Sequence, residues 1–162
     1  MEYVIALGSN RRHHLYGDPR HVLSAALTAL DANGIRVLAA APAIPSAPIG
    51  PSRRRYANGA VLVESDLAPD ELLAVLKAIE RAFGRRRGGQ RWSSRVLDLD
   101  IVLWEGGAWS SPGLTVPHVS FRERDFVLGP VSALAPLWRD PLTGLSLRHL
   151  NARLTRPHPL PR

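Results

Sequence analysis

Between Arg91 and Leu103 the chain leaves a polar, arginine-bearing stretch and enters an apolar run that holds two carboxylates, Asp98 and Asp100, two positions apart. No other stretch restricts the fold as tightly. Side chains of a strand alternate between its faces, so a strand here sends both aspartates to one side and Leu97, Leu99, Ile101 and Leu103 to the other. The aliphatic side reads as core. Two like charges on one face of a half-buried strand are unfavourable unless something positive stands between them. Two solutions are open. One is a hard divalent cation, for which carboxylate oxygens are suitable ligands. The other is a structural acid pair neutralised by Arg91 and Arg95.

Such a strand needs a sheet, and the chain supplies one in order. Tyr3 to Leu7 is a short apolar run, read as a buried strand that ends in a Gly8-Ser9-Asn10 turn. Asp18-Pro19 starts a helix, with Val22, Leu23, Ala26, Leu27 and Leu30 at helical spacing and Asn33-Gly34 as its stop. Ile35 to Ala41 is a second strand. Pro42 to Arg55 contains four prolines and three consecutive arginines, and reads as one long loop. Tyr56 to Glu64 is a third strand, with Tyr56, Asn58 and Ala60 on one face. Ser65 or Asp66 caps the next helix, which runs through Leu72, Leu76 and Ile79 to Gly84. A basic loop, 85–91, leads to the fourth strand, Val96 to Trp104. Gly106-Gly107 turns the chain, and Leu114 to His118 is extended. Phe126 to Leu134 is apolar and fits either strand or helix. The tail from Pro136 shows weak periodicity, with one short strand and a short helix near Leu147 to Leu154.

Strand, helix, strand, strand, helix, strand is the order of a ferredoxin-like α+β fold, βαββαβ, with both helices on one face of an antiparallel sheet. The other face is then expected to be open to a ligand. At 162 residues the chain fits a single domain spanning 1–162, a core over about 3–136 and a C-terminal extension over 137–162. The net charge is +7, and Lys77 is the one lysine among 21 basic residues. Arginine binds phosphate and carboxylate through a planar fork, so the bias fits an anionic partner. The absence of cysteine excludes disulfides, thiolate catalysis and cysteine-ligated metals. The N-terminus carries no signal-peptide pattern, and no apolar run approaches the roughly 20 residues of a membrane span. A cytoplasmic protein is expected.

The motifs together resemble one family. Arg91-Trp92, Arg95 and Leu97-Asp98-Leu99-Asp100-Ile101 resemble the signature of the 6-hydroxymethyl-7,8-dihydropterin pyrophosphokinases of the folate pathway. Ala6-Leu7-Gly8-Ser9-Asn10, Tyr56 with Asn58, Ile79-Glu80, Gly84-Arg85 with Arg87, Leu114 to His118, and Arg124 with Phe126 follow the same pattern in the same order. That resemblance implies transfer of pyrophosphate from ATP to the pterin hydroxymethyl group with release of AMP. It implies that Asp98 and Asp100 bind two magnesium ions, and that Arg85 and Arg95 act with them in catalysis. It assigns the pterin to Ser46, Ile49, Tyr56, Asn58, Trp92, Asp98 and Phe126, with Tyr56 and Phe126 stacking on the flat ring. It assigns ATP to Glu80, Arg87, Arg91, Trp92, Arg95, Ile101, Thr115, His118 and Arg124. No Walker-type glycine loop is present, so the nucleotide is held in another way. The expected partners are ATP and a dihydropterin alcohol, with no membrane, nucleic acid disfavoured, and a monomeric state.

The chain departs from the family pattern at Arg11-Arg12-His13-His14, Ser52 to Arg55, Ser93-Ser94, Gly113 and Val119. None of these removes a proposed metal ligand or stacking ring. They leave open a paralogue that acts on a related pterin alcohol. A basic ferredoxin-like RNA-binding domain is the alternative from another class. It fits less well, because Asp98 and Asp100 on the sheet face would repel phosphate.

Overall fold

The structure is a computed structural model, and it describes residues 1–46, 56–84, 96–159 and 161. Four long strands make one antiparallel sheet: β1 (Glu2–Ser9), β2 (Arg36–Ala40), β4 (Tyr56–Glu64) and β5 (Asp98–Trp104), in the order β2-β4-β1-β5. Helix α1 (Pro19–Ala32) links β1 to β2, and α2 (Pro69–Ala82) precedes β5. This is the expected ferredoxin-like arrangement, in which each crossover skips a central strand.

Local chemistry explains most boundaries. The Asp18 carboxylate accepts the His21 main-chain N–H (3.1 Å) at the start of α1, and Pro19 occupies the first helical position, where a missing N–H is harmless. Gly34, at φ 78°, carries the chain out of that helix in a conformation that side chains disfavour. The start of α2 differs from expectation. Ser65 turns inward on its own loop, accepting from Leu67 N, and the cap falls at Ala68. Glu71 closes the end instead, accepting the Ala68 N–H (2.8 Å).

Three expectations about strands are corrected. Gly8 and Ser9 lie inside β1, opposite Asn58 and Ala57, and do not form a turn. The long loop from Pro42 contains a short strand, β3 (Ile44–Ser46), which pairs with Tyr56 to Asn58. Pro45 is tolerated there because, among the described residues, β3 lies on the sheet edge and pairs with β4 alone. Regular pairing of the fourth strand begins at Asp98, two residues later than expected.

Apolar residues fill both faces of the sheet. On one face Tyr3, Ile5, Leu7, Val61, Val63, Leu99 and Ile101 meet Leu23 and Leu30 of α1 and Leu72 and Leu76 of α2. On the other, Val4, Ala60, Val102 and Leu103 meet Phe121 and two C-terminal helices, α3 (Asp125–Leu134) and α4 (Leu147–Leu154). The face expected to be open is therefore partly roofed. Leu103 was expected beside Leu99 and Ile101, yet it points the other way. The β1–β5 register shifts between Val4 and Ile5, so Ile5 pairs with Ile101 and Val4 with Leu103. The extra residue, Val102, reverses the alternation beyond it, as a β-bulge does.

A hairpin of β6 (Trp109–Ser111) and β7 (Leu114–Val116) lies against β5. Gly113 sits at its tip with φ 81°, so turn geometry accounts for the glycine at that departure from the family pattern.

Candidate active site

The unroofed part of the second sheet face is organised by β1, which runs between β4 and β5. Gly8 pairs with Asn58 on one side and Asp98 on the other; Ala6 pairs with Ala60 and Asp100. Paired residues share a face, so Asn58, Gly8 and Asp98 form a row across three strands. A Cβ placed on Gly8 would stand 3.8 Å from Asn58 Oδ1, 3.9 Å from Asp98 Cβ and 3.9 Å from Tyr56 Cδ1. The glycine thus leaves a bare floor bounded by an aromatic ring, an amide and a carboxylate. Sequence reasoning treated Gly8 as part of a turn; a glycine within a strand pattern is itself a signal of close approach to the backbone.

The amide end of the floor is fixed. Asn58 is buried, and its Nδ2 donates to Ser46 Oγ at 2.7 Å, across the β3–β4 pairing. One N–H of the amide is thereby used, and Oδ1 remains on the Gly8 side as an acceptor. Tyr56 and Phe126 are both half-buried, not sealed core aromatics. Phe126 stands in the first turn of α3, which lies across β4, β3 and β1.

Two residues along β5, roughly 7 Å from Asp98 by strand geometry, Asp100 is exposed on the same face. His118 reaches this end because its main-chain N–H donates to Val102 O of β5 (3.0 Å). Burial pushes the His118 imidazole pKa down from its ordinary 6.5, the Asp100 charge pushes it up, the Arg124 charge pushes it down, and the net shift is downward. The ring is therefore neutral near pH 7. Its Nδ1 accepts the Ser120 N–H (3.1 Å), which leaves the proton on Nε2, a donor. Arg124 occupies the N-cap position of α3 without a side-chain capping bond, and its guanidinium lies 6.0 Å from the centre of the Phe126 ring.

Other expected site residues sit differently. The Glu80 carboxylate is fully buried, accepts the Leu99 N–H (2.8 Å) and faces Lys77 Nζ at 3.2 Å, so it grips β5 from the helix side between the two aspartates. The Ile101 side chain is in the helix-facing core, which leaves only its main chain for any nucleotide contact. Thr115 is exposed on β7, opposite Ser110. Ile49, Arg85, Arg87, Arg91, Trp92 and Arg95 lie outside the described residues, as do Arg53 to Arg55 and Ser93-Ser94.

Among the described residues, no group of three or more histidine, cysteine, aspartate or glutamate side chains could cage a metal ion. Two carboxylates on one open face suit a different ion. Magnesium takes one or two protein carboxylates and completes its octahedron with substrate phosphates and water.

Known proteins resemble the chain in sequence and in fold. The sequence profile of the 7,8-dihydro-6-hydroxymethylpterin-pyrophosphokinase family matches residues 4–136. The chain is 41% identical over 139 residues to a 2-amino-4-hydroxy-6-hydroxymethyldihydropteridine pyrophosphokinase of Pseudomonas aeruginosa, covering 85% of this chain and 82% of that one. It is 39% identical over 134 residues to the Methylorubrum extorquens protein of the same name, covering 82% and 81%. The fold is similar to that of the Plasmodium falciparum HPPK-DHPS protein solved with pteroate, at a TM-score of 0.70 and 12% identity, covering 94% of this chain and 42% of that larger one. No helix among the described residues is long and apolar enough to cross a membrane.

Proposed function

The chain belongs to the 7,8-dihydro-6-hydroxymethylpterin-pyrophosphokinase family, and from that premise we propose how its own residues divide the work. The reaction moves the terminal pyrophosphoryl group of ATP onto the hydroxymethyl oxygen of 6-hydroxymethyl-7,8-dihydropterin and releases AMP. The observation that carries the assignment is the row Asn58–Gly8–Asp98, continued along β5 to Asp100 beside His118 and Arg124. One end of that row suits a flat heterocycle and the other an anion.

The pterin ring lies on the Gly8 floor between Tyr56 and Phe126. Asn58, held by Ser46, offers Oδ1 to donors on the ring edge, and Ile49 and Trp92 complete the pocket. This orients the hydroxymethyl group toward Asp98. ATP enters from the Asp100 end, where His118 Nε2–H and the Arg124 guanidinium donate to phosphate oxygens and Thr115 and the Ile101 main chain flank the nucleotide. Arg85, Arg87, Arg91 and Arg95 add positive charge along the polyphosphate. Glu80 acts through β5, fixing the strand that presents both carboxylates. Asp98 and Asp100 would hold two magnesium ions, and the chemistry such ions would supply there is neutralisation of phosphate charge. Phosphoryl transfer depends on such positioning and charge neutralisation more than on covalent participation by the protein. The single-domain reading of 1–162, a monomeric state and a cytoplasmic location belong to the same proposal.

The test is AMP release from ATP in the presence of 6-hydroxymethyl-7,8-dihydropterin and magnesium. Wild-type protein turns over, chelation stops it, and Asp98→Asn or Asp100→Asn abolishes it while leaving the fold intact. Normal turnover by either variant would remove the metal-ligand assignment. Comparison of rates across related pterin alcohols settles substrate choice, and preference for another alcohol would favour the paralogue.

A further inference from the structure

The segment carrying His118, Arg124 and Phe126 leaves the sheet after one main-chain bond to β5 and runs through turns until α3 begins. Its anchorage comes from beyond the family-matched residues. Asp140 is completely buried. Its two oxygens receive the Arg122 guanidinium as a fork, Nε to Oδ2 at 2.6 Å and Nη2 to Oδ1 at 2.7 Å. Oδ1 also accepts the Leu142 N–H (3.1 Å), and Oδ2 the Thr143 hydroxyl (2.8 Å). The main chain of Asp140 closes the same loop, donating to Leu145 O (2.9 Å) and accepting from Gly144 N (2.8 Å).

This loop is fastened in turn to the roof of the sheet. Leu147 N donates to Trp138 O (2.8 Å) and Arg148 N to Pro136 O (3.1 Å), which ties it to the start of α4, and α4 packs on α3. On the other side of the fork, the Arg122 guanidinium lies 4.6 Å above the centre of the Phe121 ring, and that ring is fully buried in the roofed core. Arg122 is thus held by two planar contacts, edge-on by the carboxylate and face-on by the ring. It lies four residues from His118 and two from Arg124 in sequence. A bidentate guanidinium–carboxylate pair fixes orientation as well as distance, which a single-point contact does not.

We propose that the Asp140–Arg122 fork is a positioning device for the reaction. The C-terminal extension uses it to set the wall that brings His118, Arg124 and Phe126 to the substrates. Asp140 touches neither substrate and acts through Arg122. The inference rests on the proposed roles of those three wall residues, and the experiment separates the two.

Steady-state kinetics are measured for Asp140→Asn, Asp140→Glu and Arg122→Lys, well below each variant's melting temperature, with Phe126→Ala and His118→Ala as wall controls. A role in stability alone lowers the active fraction and so kcat, leaving KM unchanged. Positioning instead raises KM for both ATP and 6-hydroxymethyl-7,8-dihydropterin by about tenfold with kcat changed less than about threefold. Arg122→Lys, which keeps the charge and loses the fork, behaves like Asp140→Asn, and Asp140→Glu recovers part of the loss. If Phe126→Ala weakens pterin use and His118→Ala weakens ATP use, while Asp140→Asn and Arg122→Lys leave both KM values unchanged, the fork proposal is overturned and the wall reading stands. If the wall controls themselves leave both KM values unchanged, the wall reading falls and the fork proposal with it. Should Asp140→Asn fail to fold, Arg122→Lys alone decides by the same criterion.

Discussion

Replacing Glu80 tests how the two aspartates are presented. The Glu80 carboxylate has no exposure, its Oε1 accepts the Leu99 N–H at 2.8 Å, and both oxygens lie 3.2 Å from Lys77 Nζ. Glu80→Ala leaves a buried main-chain donor between Asp98 and Asp100 without its acceptor, which costs about 1–3 kcal/mol. It also strips Lys77 of a carboxylate; breaking a buried pair costs roughly 3–5 kcal/mol. The Lys77 side chain is 35% exposed, so its share is screened and belongs at the low end. The sum is about 4–6 kcal/mol. For a domain of this size each kcal/mol lowers the melting temperature by about 2–4 °C, so Glu80→Ala melts at least roughly 8 °C lower. Glu80→Gln keeps an oxygen for Leu99 N and loses only the charge, at about 1–2 kcal/mol. Denaturant melts give both numbers, and AMP release measured in the cold gives the functional half: turnover falls more in Glu80→Ala than in Glu80→Gln. The reasoning is refuted if Glu80→Ala lies within about 0.5 kcal/mol of wild type, the range of an ordinary surface change. Equal losses in the two variants would also refute it, since the Leu99 bond would then contribute nothing.

Two further outcomes are expected. Gly8→Ala fits the protein, because its methyl would meet Asn58, Asp98 and Tyr56 at ordinary contact distances, so the melting temperature is unchanged. The methyl occupies the ligand side of the floor, so KM for the pterin rises by about tenfold or more; unchanged pterin KM would show that the ring does not lie there. Stability falls in acid in two stages. His13 is buried, its Nδ1 accepts the N–H groups of Leu15 and Tyr16, and burial followed by the His14 charge lowers its pKa below 6.5. A base with a depressed folded-state pKa binds fewer protons folded than unfolded, so its contribution is complete above about pH 6.5 and is lost as pH falls through the folded value. For Asp140, burial raises the carboxyl pKa, but the bonds from Arg122, Thr143 and Leu142 N outweigh it and hold it below 3.8. That contribution is present above pH 3.8 and is lost as pH falls further. Melting temperature against pH shows both steps. His118, whose pKa burial also lowers, shares the first step; His13→Asn, which can keep an acceptor near Nδ1 without titrating, makes that step smaller, and an undiminished step would refute the assignment.

The order of elements, α1 with its Asp18 cap and the span of β4 were legible because each depends on residues adjacent in sequence. Period-3.6 and period-2 patterns and a capping aspartate are local signals. The same locality placed Asp98 and Asp100 on one face, since that needs only the alternation of a single strand. Where the reading failed, a remote residue decided. Leu103 changed face because β1 meets β5 through a bulge, and a bulge is a property of a strand pair. Ile44–Ser46 is a strand despite Pro45 because β4 offers it an edge. Phe126 to Leu134 was ambiguous because it is apolar on all sides, as a segment packed between a sheet and another helix has to be. The site divides in the same way. Its carboxylates could be read from one strand, whereas the Gly8 floor required the pairing of three. The Asp140–Arg122 fork required a contact over 18 positions between a turn and a proline-rich tail whose periodicity is weak. Residues that touch substrate are spelled out in motifs; residues that hold them in place are chosen by the tertiary structure, so it is there that a family member with altered loops can differ from its relatives while its signature stays intact.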